Sequence, residues 1–356
     1  MNDTKKIKLA VIGAGKIVNT HALAYEKMDN IEIVGVCDII EKRAAEMAKR
    51  LGCDFYCTDY KEIFELDGLD AVDICTPNYL HSVIAVDALH KGINVFCEKP
   101  DAINVEEAEK MKAAAEKSGK ILMVMRNNRY MEVSSYLKKY IEDGKMGEIY
   151  AARCGWQRRR GIPGKGGWFT TKELSGGGPL IDLGVHMIDL AMWLMGNPTP
   201  IAVTGCTYKK FADNNVSDSV HSAFGDKVED GIFDVEDLAM GFIRFDNGCC
   251  MQIEFSWASN IGTAQRFVEL RGTQSGAVWS SADDKLKIFT EEHGSTVDIL
   301  PNITAQMSGH EANLRHFIDV LLGNAEPMFL PQQGVNMIKI LEGFYRSAAE
   351  GKEILL

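Results

Sequence analysis

The stretch Lys8-Leu-Ala-Val-Ile-Gly-Ala-Gly-Lys-Ile-Val18 decides how the rest of the chain is read. An apolar run of strand length stops at Gly13 and Gly15, and an amphipathic segment over 16–28 follows. A strand that ends in a glycine turn before a helix brings backbone N–H groups and a helix N-terminus against a phosphate. The spacing is Gly-x-Gly-x-x-Val. In the full dinucleotide fingerprint a third small residue lets helix and strand approach closely, and Val18 holds that place here. Taken alone, such a turn also suits an α/β protein that binds nothing there.

Working outward, Ile31-Glu-Ile-Val-Gly-Val36 predicts a second strand, with Asp38 just past its end and twenty residues beyond Val18. A carboxylate there meets the ribose hydroxyls of NAD and repels the extra phosphate of NADP. The competing reading is a cap for a helix over 40–51. Further strands are expected over 69–75, 93–97 and 121–125, with helices over 79–91 and 104–118 between them. Five strands separated by helices mean a parallel, doubly wound sheet, a Rossmann-type dinucleotide-binding domain over 1–126. Ligands bind beyond the strand C-termini of such sheets, which places Thr76-Pro-Asn78, Glu98-Lys-Pro100 and Arg126-Asn-Asn-Arg-Tyr130 on the rim that holds the glycine turn.

From 127 onward the pattern changes. A helix over 134–143 ends at Gly144, and alternating or β-rich runs follow at 148–157, 201–208, 238–245, 248–257, 266–271 and 285–289. They predict an antiparallel sheet. Hydrophobic helices over 312–322 and 334–349 close the chain, with Pro327 and Pro331 marking their connection. The second domain, 127–356, is thus expected to be α/β with a large, mainly antiparallel sheet. Inside it runs a long glycine-rich insertion, 158–178, with Arg158, Arg159, Arg160, Lys165 and Trp168. Such a loop is either functional or a solvated basic segment.

The 356 residues exceed one ordinary domain, in keeping with two cores. A formal net charge of −11 argues against nucleic acid or an anionic membrane as partner, because both need a basic footprint. Small-molecule chemistry fits better. The nine cysteines have no paired CxxC spacing and read as reduced and mostly buried. Lys5, Lys6 and Lys8 open the chain, but the apolar run after them is too short for a signal peptide, and no eighteen-residue apolar run occurs. A cytoplasmic protein is expected.

Two short pieces hold the candidate chemistry. In Glu98-Lys99-Pro100, proline stops the strand and helps turn Lys99 toward the rim. A lysine there can hold a substrate hydroxyl and stabilise the alkoxide that develops as hydride leaves an alcohol carbon. The alternative is a surface lysine paired with Glu98. In Gly176-Gly-Gly-Pro-Leu-Ile-Asp182-Leu-Gly-Val-His186-Met-Ile-Asp189, a continuous helix would place Asp182, His186 and Asp189 at i, i+4 and i+7 on one face. A histidine titrates near neutrality, and a nearby carboxylate orients its ring, so His186 is the candidate base for proton removal from an alcohol. Zinc chelation is another reading, but no third ligand stands at a recognisable spacing, so no metal is expected. A core histidine remains possible on the pattern alone. Asp189, deeper in the apolar helix, reads as structural.

The succession Ile12-Gly-Ala-Gly-Lys-Ile-Val-Asn-Thr-His21, Cys75-Thr-Pro-Asn78 with His81, Glu98-Lys-Pro100, Arg129-Tyr130 and Gly176-Gly-Gly through His186 resembles the glucose-fructose oxidoreductase, inositol dehydrogenase and MocA family. The tail, Glu342-Gly-Phe-Tyr-Arg-Ser-Ala-Ala-Glu-Gly-Lys352, looks like that family's last helix, so the resemblance covers nearly the whole chain. It implies a Rossmann domain followed by an α/β domain whose open sheet makes a homo-oligomer interface. It also implies Lys99 on the substrate hydroxyl and the nicotinamide side, His186 as general base, and Asp182 binding substrate and assisting His186.

Candidate cofactor contacts follow from the same rim. They are Gly13, Gly15, Lys16 and Ile17 in the turn, then Asp38 and Arg43 beyond the second strand. Thr76, Pro77, Asn78 and His81 come next, with Glu98, Lys99 and Asn127 completing the set. Asp38-Ile-Ile40, without an arginine or serine ready for a 2′-phosphate, favours NAD, with Arg43 close by. The family's usual substrates imply a sugar, cyclic polyol or glycoside. Arg129 and Tyr130, with Trp156, Arg158 and Trp168 as stacking wall and hydroxyl donors, are the candidate substrate contacts beside Lys99, Asp182 and His186. Other readings are a glycoside 3-dehydrogenase that prepares a later elimination, an NAD-dependent glycosidase, and a non-catalytic NAD-binding regulator. The presence of both Lys99 and His186 weighs against the last.

Overall fold

The computed structural model describes residues 6–356; Lys5, part of the basic start weighed above, lies outside the described residues. Six short segments, β1 (Ile7–Ile12), β2 (Ile31–Cys37), β3 (Tyr56–Cys57), β4 (Ala71–Ile74), β5 (Asn94–Cys97) and β6 (Leu122–Val124), pair in parallel in the order β3-β2-β1-β4-β5-β6. Their central residues, Leu9, Val11, Val72, Ile74, Val95 and Phe96, are fully buried. A parallel sheet is covered by helices on both faces, which is why these strands read as unbroken apolar runs. The strand order reverses direction at β1 and β4, so the glycine turn after β1 and the segment after β4 flank the switch point. β3, a strand of two residues, is a sixth member not foreseen from sequence.

The helices Val18–Tyr25, Glu41–Leu51, His81–His90 and Val105–Ser118 return the chain between strands. Asn104 caps the last of these by accepting the Glu107 N–H at 2.9 Å, and Gly119 ends it in the left-handed conformation.

The chain forms two compact units, one of residues up to Asn127 with Ser308–Val335, the other of Asn128–Met307 with Asn336–Leu356. This differs from a division into two contiguous domains at 126/127, because Ser308–Val335 returns to the first unit. The helix Gly309–Leu321, capped by Ser308, supplies Leu314, Phe317 and Ile318 to the first unit's core. The Phe317 ring lies 5.2 Å from that of Phe96, and Glu311 meets Lys27 at 2.7 Å.

The second unit is built on a nine-stranded sheet. Its strands are β7 (Ile149–Gln157), β8 (Pro200–Tyr208), β9 (Leu238–Phe245), β10 (Cys250–Ser256), β11 (Gln265–Gly272), β12 (Gly276–Ser280), β13 (Lys285–Glu292), β14 (Ser295–Ile299) and β15 (Ile354–Leu355). The order is β14-β13-β12-β11-β7-β10-β9-β8-β15, antiparallel throughout except for the parallel pair β7/β10. The sheet is therefore mixed and mostly antiparallel. Alternation sorts its faces: Ala152, Cys154, Met251, Ile253, Val268 and Leu270 are buried, while Arg153, Met240, Arg244 and Gln252 stay exposed. The helix Val185–Leu194 packs on β7 and β11 and is buried along its whole length except at His186. No helix among the described residues is long and apolar enough to cross a membrane. All nine cysteines are free thiols, most of them buried and Cys206 exposed.

Candidate active site

In the first unit the glycine turn is tied down on three sides. Gly13 has φ +101°, and its N–H donates to the Cys37 carbonyl at 2.7 Å. A Cβ at that position would stand 2.6 Å from the carbonyl carbon and oxygen of Cys75. Only glycine fits both the dihedral and the space. At Gly15 a Cβ would meet nothing, so that side of the turn is open. Asp38 accepts the Ala14 N–H at 2.7 Å and the Ile40 N–H at 2.8 Å, so its carboxylate braces the turn from the end of β2. Val18 is fully buried in the core at the start of its helix.

On the same rim, beyond β4 and β6, the Thr76 hydroxyl and the Asn127 side-chain oxygen are buried without a hydrogen-bond partner among the described residues. A narrow glycine turn backed by a carboxylate, with polar atoms left to be satisfied on the same strand ends, fits a dinucleotide. Gly13→Ala is expected to destabilise the protein by at least about 1 kcal/mol and to weaken NAD binding in the same preparation. Thermal melts and a fluorescence titration with NAD check both effects.

Lys16 is exposed, and Ile17, Arg43, Pro77 and Lys99 are half-buried. Asn78 is buried at the head of the short turn before the helix His81–His90. Two expected cofactor contacts turn inward instead. His81 is buried, with Nδ1 at 2.7 Å from the Pro100 carbonyl and Nε2 at 2.9 Å from that of Thr76, so it staples the two rim segments together. Glu98 is buried as well. Its Oε1 lies 2.9 Å from His21 Nε2, and its Oε2 accepts the Lys99 backbone N–H at 3.2 Å. Burial alone would raise the Glu98 pKa, but the bond to His21 and its charge outweigh this and draw it down to about 2.

In the second unit the segment after Pro179 does not run as one α-helix. Leu180–Gly184 is a π-turn that passes into the α-helix at Val185. The i, i+4, i+7 spacing expected for Asp182, His186 and Asp189 is therefore broken between the first two, because a π-turn advances fewer degrees per residue than an α-turn. The turn is held from outside. Glu236 accepts the Gly178 and Leu180 N–H groups at 3.0 and 3.1 Å and the Tyr345 hydroxyl at 3.0 Å, and a Cβ on Gly178 would run into the Glu236 backbone.

Asp182 is half-buried, and its Oδ2 accepts the Trp257 indole N–H at 2.9 Å. His186 stands 5.8 Å, ring to ring, from Trp156. Trp156 in turn has Arg158 over its ring at 5.1 Å and Arg266 at 5.3 Å, with the edge of His221 at 6.0 Å. Arg158 is only 6% exposed; it donates to the Gly161 carbonyl at 3.1 Å, and its Nε has no acceptor among the described residues. Burial lowers its guanidinium pKa to about 10, against the attraction of Asp182. His221 is lowered to about 4 by burial and by the charges of Arg158 and Arg266, with Asp182 opposing. Guanidinium groups over an aromatic ring, beside one carboxylate and two imidazoles, form a set of donors and acceptors that can bond sugar hydroxyls.

Not every expected residue joins this group. Arg129 is 1% exposed, and its guanidinium makes a two-pronged pair with Asp189 at 2.8 and 2.6 Å. It therefore braces the His186 helix, and Asp189 is structural. Tyr130 is half-buried, and burial raises its phenol pKa. Trp168 stacks on Phe169 at 3.8 Å. Arg160 bonds Ser259 and Asn260 and covers Phe211, so the three arginines part company: Arg158 enters the cluster, Arg159 is exposed, and Arg160 is half-buried outside it. The insertion 158–178 is pinned by bridges from Arg160 to Ala258 and from Gly166 to Ile232. His221, Trp257 and Arg266 went unnoticed in the sequence. Trp257 and Arg266 stood only as strand termini, and His221 lies in a stretch with no motif.

Two family models match the chain: an oxidoreductase family, NAD-binding Rossmann fold, over residues 7–126, and an oxidoreductase family, C-terminal alpha/beta domain, over residues 138–356. The chain is 31% identical over 352 residues to the D-glucoside 3-dehydrogenase of Escherichia coli (strain K12), covering 98% of this chain and 97% of that protein. It is 27% identical to the levoglucosan dehydrogenase of Pseudarthrobacter phenanthrenivorans, over 98% and 91% of the two. The solved structure of levoglucosan dehydrogenase in complex with NADH and levoglucosan shares the fold, with a TM-score of 0.85 at 23% identity over 99% of each chain.

Proposed function

The chain belongs to the glucose-fructose oxidoreductase, inositol dehydrogenase and MocA family and is an NAD-dependent dehydrogenase, and from that premise we propose that it oxidises a secondary ring hydroxyl of a glycoside, at C3 of a glucoside. The observation that supports this substrate class is the pair of guanidinium groups, Arg158 and Arg266, held over the Trp156 ring beside Asp182 and His186. The similarity to D-glucoside 3-dehydrogenase along nearly the whole chain supports the position of attack.

NAD supplies the acceptor for the hydride when it is bound. The chain's own residues handle the rest. Lys99, a compact cation, binds the reacting hydroxyl and stabilises the negative charge that grows on its oxygen. His186 takes the hydroxyl proton. Asp182, held by the Trp257 indole, binds a neighbouring hydroxyl and favours the imidazolium once the proton has moved. Arg158 brings a desolvated donor to the sugar, and the Trp156 ring beneath it holds that guanidinium in place. A homo-oligomer through the sheet's outward face is part of the same proposal, supported by Tyr208, Met240 and Phe289, each about two-fifths exposed on it.

The test is direct. Purified protein and NAD are screened by nicotinamide absorbance against glucose, glucosides and inositols, and the carbonyl position of the product is read by NMR. Glucosides are expected to turn over to a 3-keto product. Turnover of inositols alone, or a carbonyl elsewhere on the ring, would overturn the assignment.

A further inference from the structure

Behind the Lys99 segment lies a fully buried array that the reaction as described does not use. His21, in the helix Val18–Tyr25, is 0% exposed. Its Nδ1 is 2.7 Å from Asp73 Oδ2, and its Nε2 is 2.9 Å from Glu98 Oε1. Asp73 Oδ2 also accepts the Tyr25 hydroxyl at 2.8 Å and lies 3.5 Å from the Cys75 thiol. His21, Asp73 and Cys75 are a residue set that could ligate a metal. The distances argue for protons instead, because two ligands of one tetrahedral zinc, with bonds of about 2.0–2.2 Å, would stand about 3.4 Å apart.

Both ring nitrogens of His21 face acid oxygens. A neutral imidazole has one N–H and one lone pair, so it can satisfy only one of two carboxylates. A proton on Asp73 Oδ2 would find the bare Nδ1, but it would leave that oxygen a neutral acceptor for the Tyr25 hydroxyl and the Cys75 thiol, whereas a carboxylate takes all three donors in stronger, charge-assisted bonds. With the proton on His21, one cation is shared by two anions, and the residual negative charge lies beside Lys99.

We propose that His21 is a positioning residue for Lys99: as an imidazolium it bonds Asp73 and Glu98 at once, and the Glu98 carboxylate held in this way fixes the backbone of the lysine that follows it. The inference rests on the reading of Lys99 as the group that binds the reacting hydroxyl. The groups that face the array are Tyr25 on the same helix, Asp73 and Cys75 from β4 and its end, Cys97, Glu98 and Lys99 from β5 and its end, Asp101 beyond, and His310 from the helix Gly309–Leu321. Burial lowers the His21 pKa, but Asp73 and Cys75 outweigh it and raise the value well above the ordinary one.

Two measurements on the full chain test this. In the first, the histidine ring nitrogens are followed by NMR at about pH 8.5, two units above an ordinary histidine pKa, with His21 assigned by its loss in His21→Gln. An imidazolium is expected, and a neutral ring would overturn the proposal. In the second, kcat is measured for His21→Gln, Lys99→Ala and the double variant. His21→Gln is expected to lower kcat by about 10²-fold, the loss typical of a reacting group misplaced by an ångström. In the Lys99→Ala background it should change kcat by no more than about twofold. Losses that multiply in the double variant would show that His21 does not act through Lys99. If His21→Gln does not fold, the isosteric Glu98→Gln takes its place in the cycle. Wild-type kcat in Lys99→Ala would refute the reading of Lys99 itself, while the NMR result would still report on the array.

Discussion

His186→Ala is expected to lower kcat by about 10²–10⁴-fold, the range lost when a positioned general base is removed. The Kd for NAD should be unchanged, because His186 lies on the helix Val185–Leu194 of the second unit, whereas the glycine turn belongs to the first. Lys99→Ala should lower kcat by about 10²–10³-fold, the loss typical of one group that stabilises developing charge. Steady-state NADH formation gives kcat, and quenching of tryptophan fluorescence gives the NAD affinity. A His186→Ala enzyme within about threefold of the wild type would remove the histidine from the chemistry, since general base catalysis contributes far more.

The second large effect is on stability. Asp189→Ala leaves the Arg129 guanidinium buried without its carboxylate, and breaking one partner of a buried pair destabilises by about 3–5 kcal/mol. In a unit of this size that corresponds to a fall in Tm on the order of 10 °C. The double replacement Arg129→Met with Asp189→Leu should recover most of the loss, because no charge is then stranded. Calorimetry separates the cases. If the two single losses simply added in a double alanine variant, the pair would not be acting as a unit. Asp189 is three residues past His186 on the same helix, so kcat should fall in Asp189→Ala as well, through displacement of the imidazole.

The Rossmann half was open to reading because its strands are buried on both faces and separated by helices, which leaves a plain apolar rhythm. β3 escaped because two residues have no rhythm, and β12, β14 and β15 because they are short or lie at or near the sheet's edges. The parallel pairing of β7 with β10 escaped because alternation reports which face a side chain takes and is silent on strand direction.

At the site, residue type was legible and orientation was not. Glu98, His81 and Arg129 are polar and lie on the segments that follow β5, β4 and β6, so each reads as facing a ligand; each has a buried partner elsewhere in the chain that turns it inward. The spacing of Asp182 and His186 suggested a helix face, and the π-turn between them has no signature in apolar period. His221 and Arg266 reach Trp156 through tertiary placement alone.

The return of Ser308–Val335 to the first unit has a consequence for synthesis. A nascent chain that has emerged as far as Val124 has all six parallel strands but lacks Leu314, Phe317 and Ile318, so the core around Phe96 cannot close. At about 5–20 residues per second, that incomplete core waits on the order of ten seconds or more for its last helix. During that interval its apolar surface is open to chaperones and to neighbouring chains. A fragment cut at 126 would stay in that condition for good, whatever its affinity for NAD.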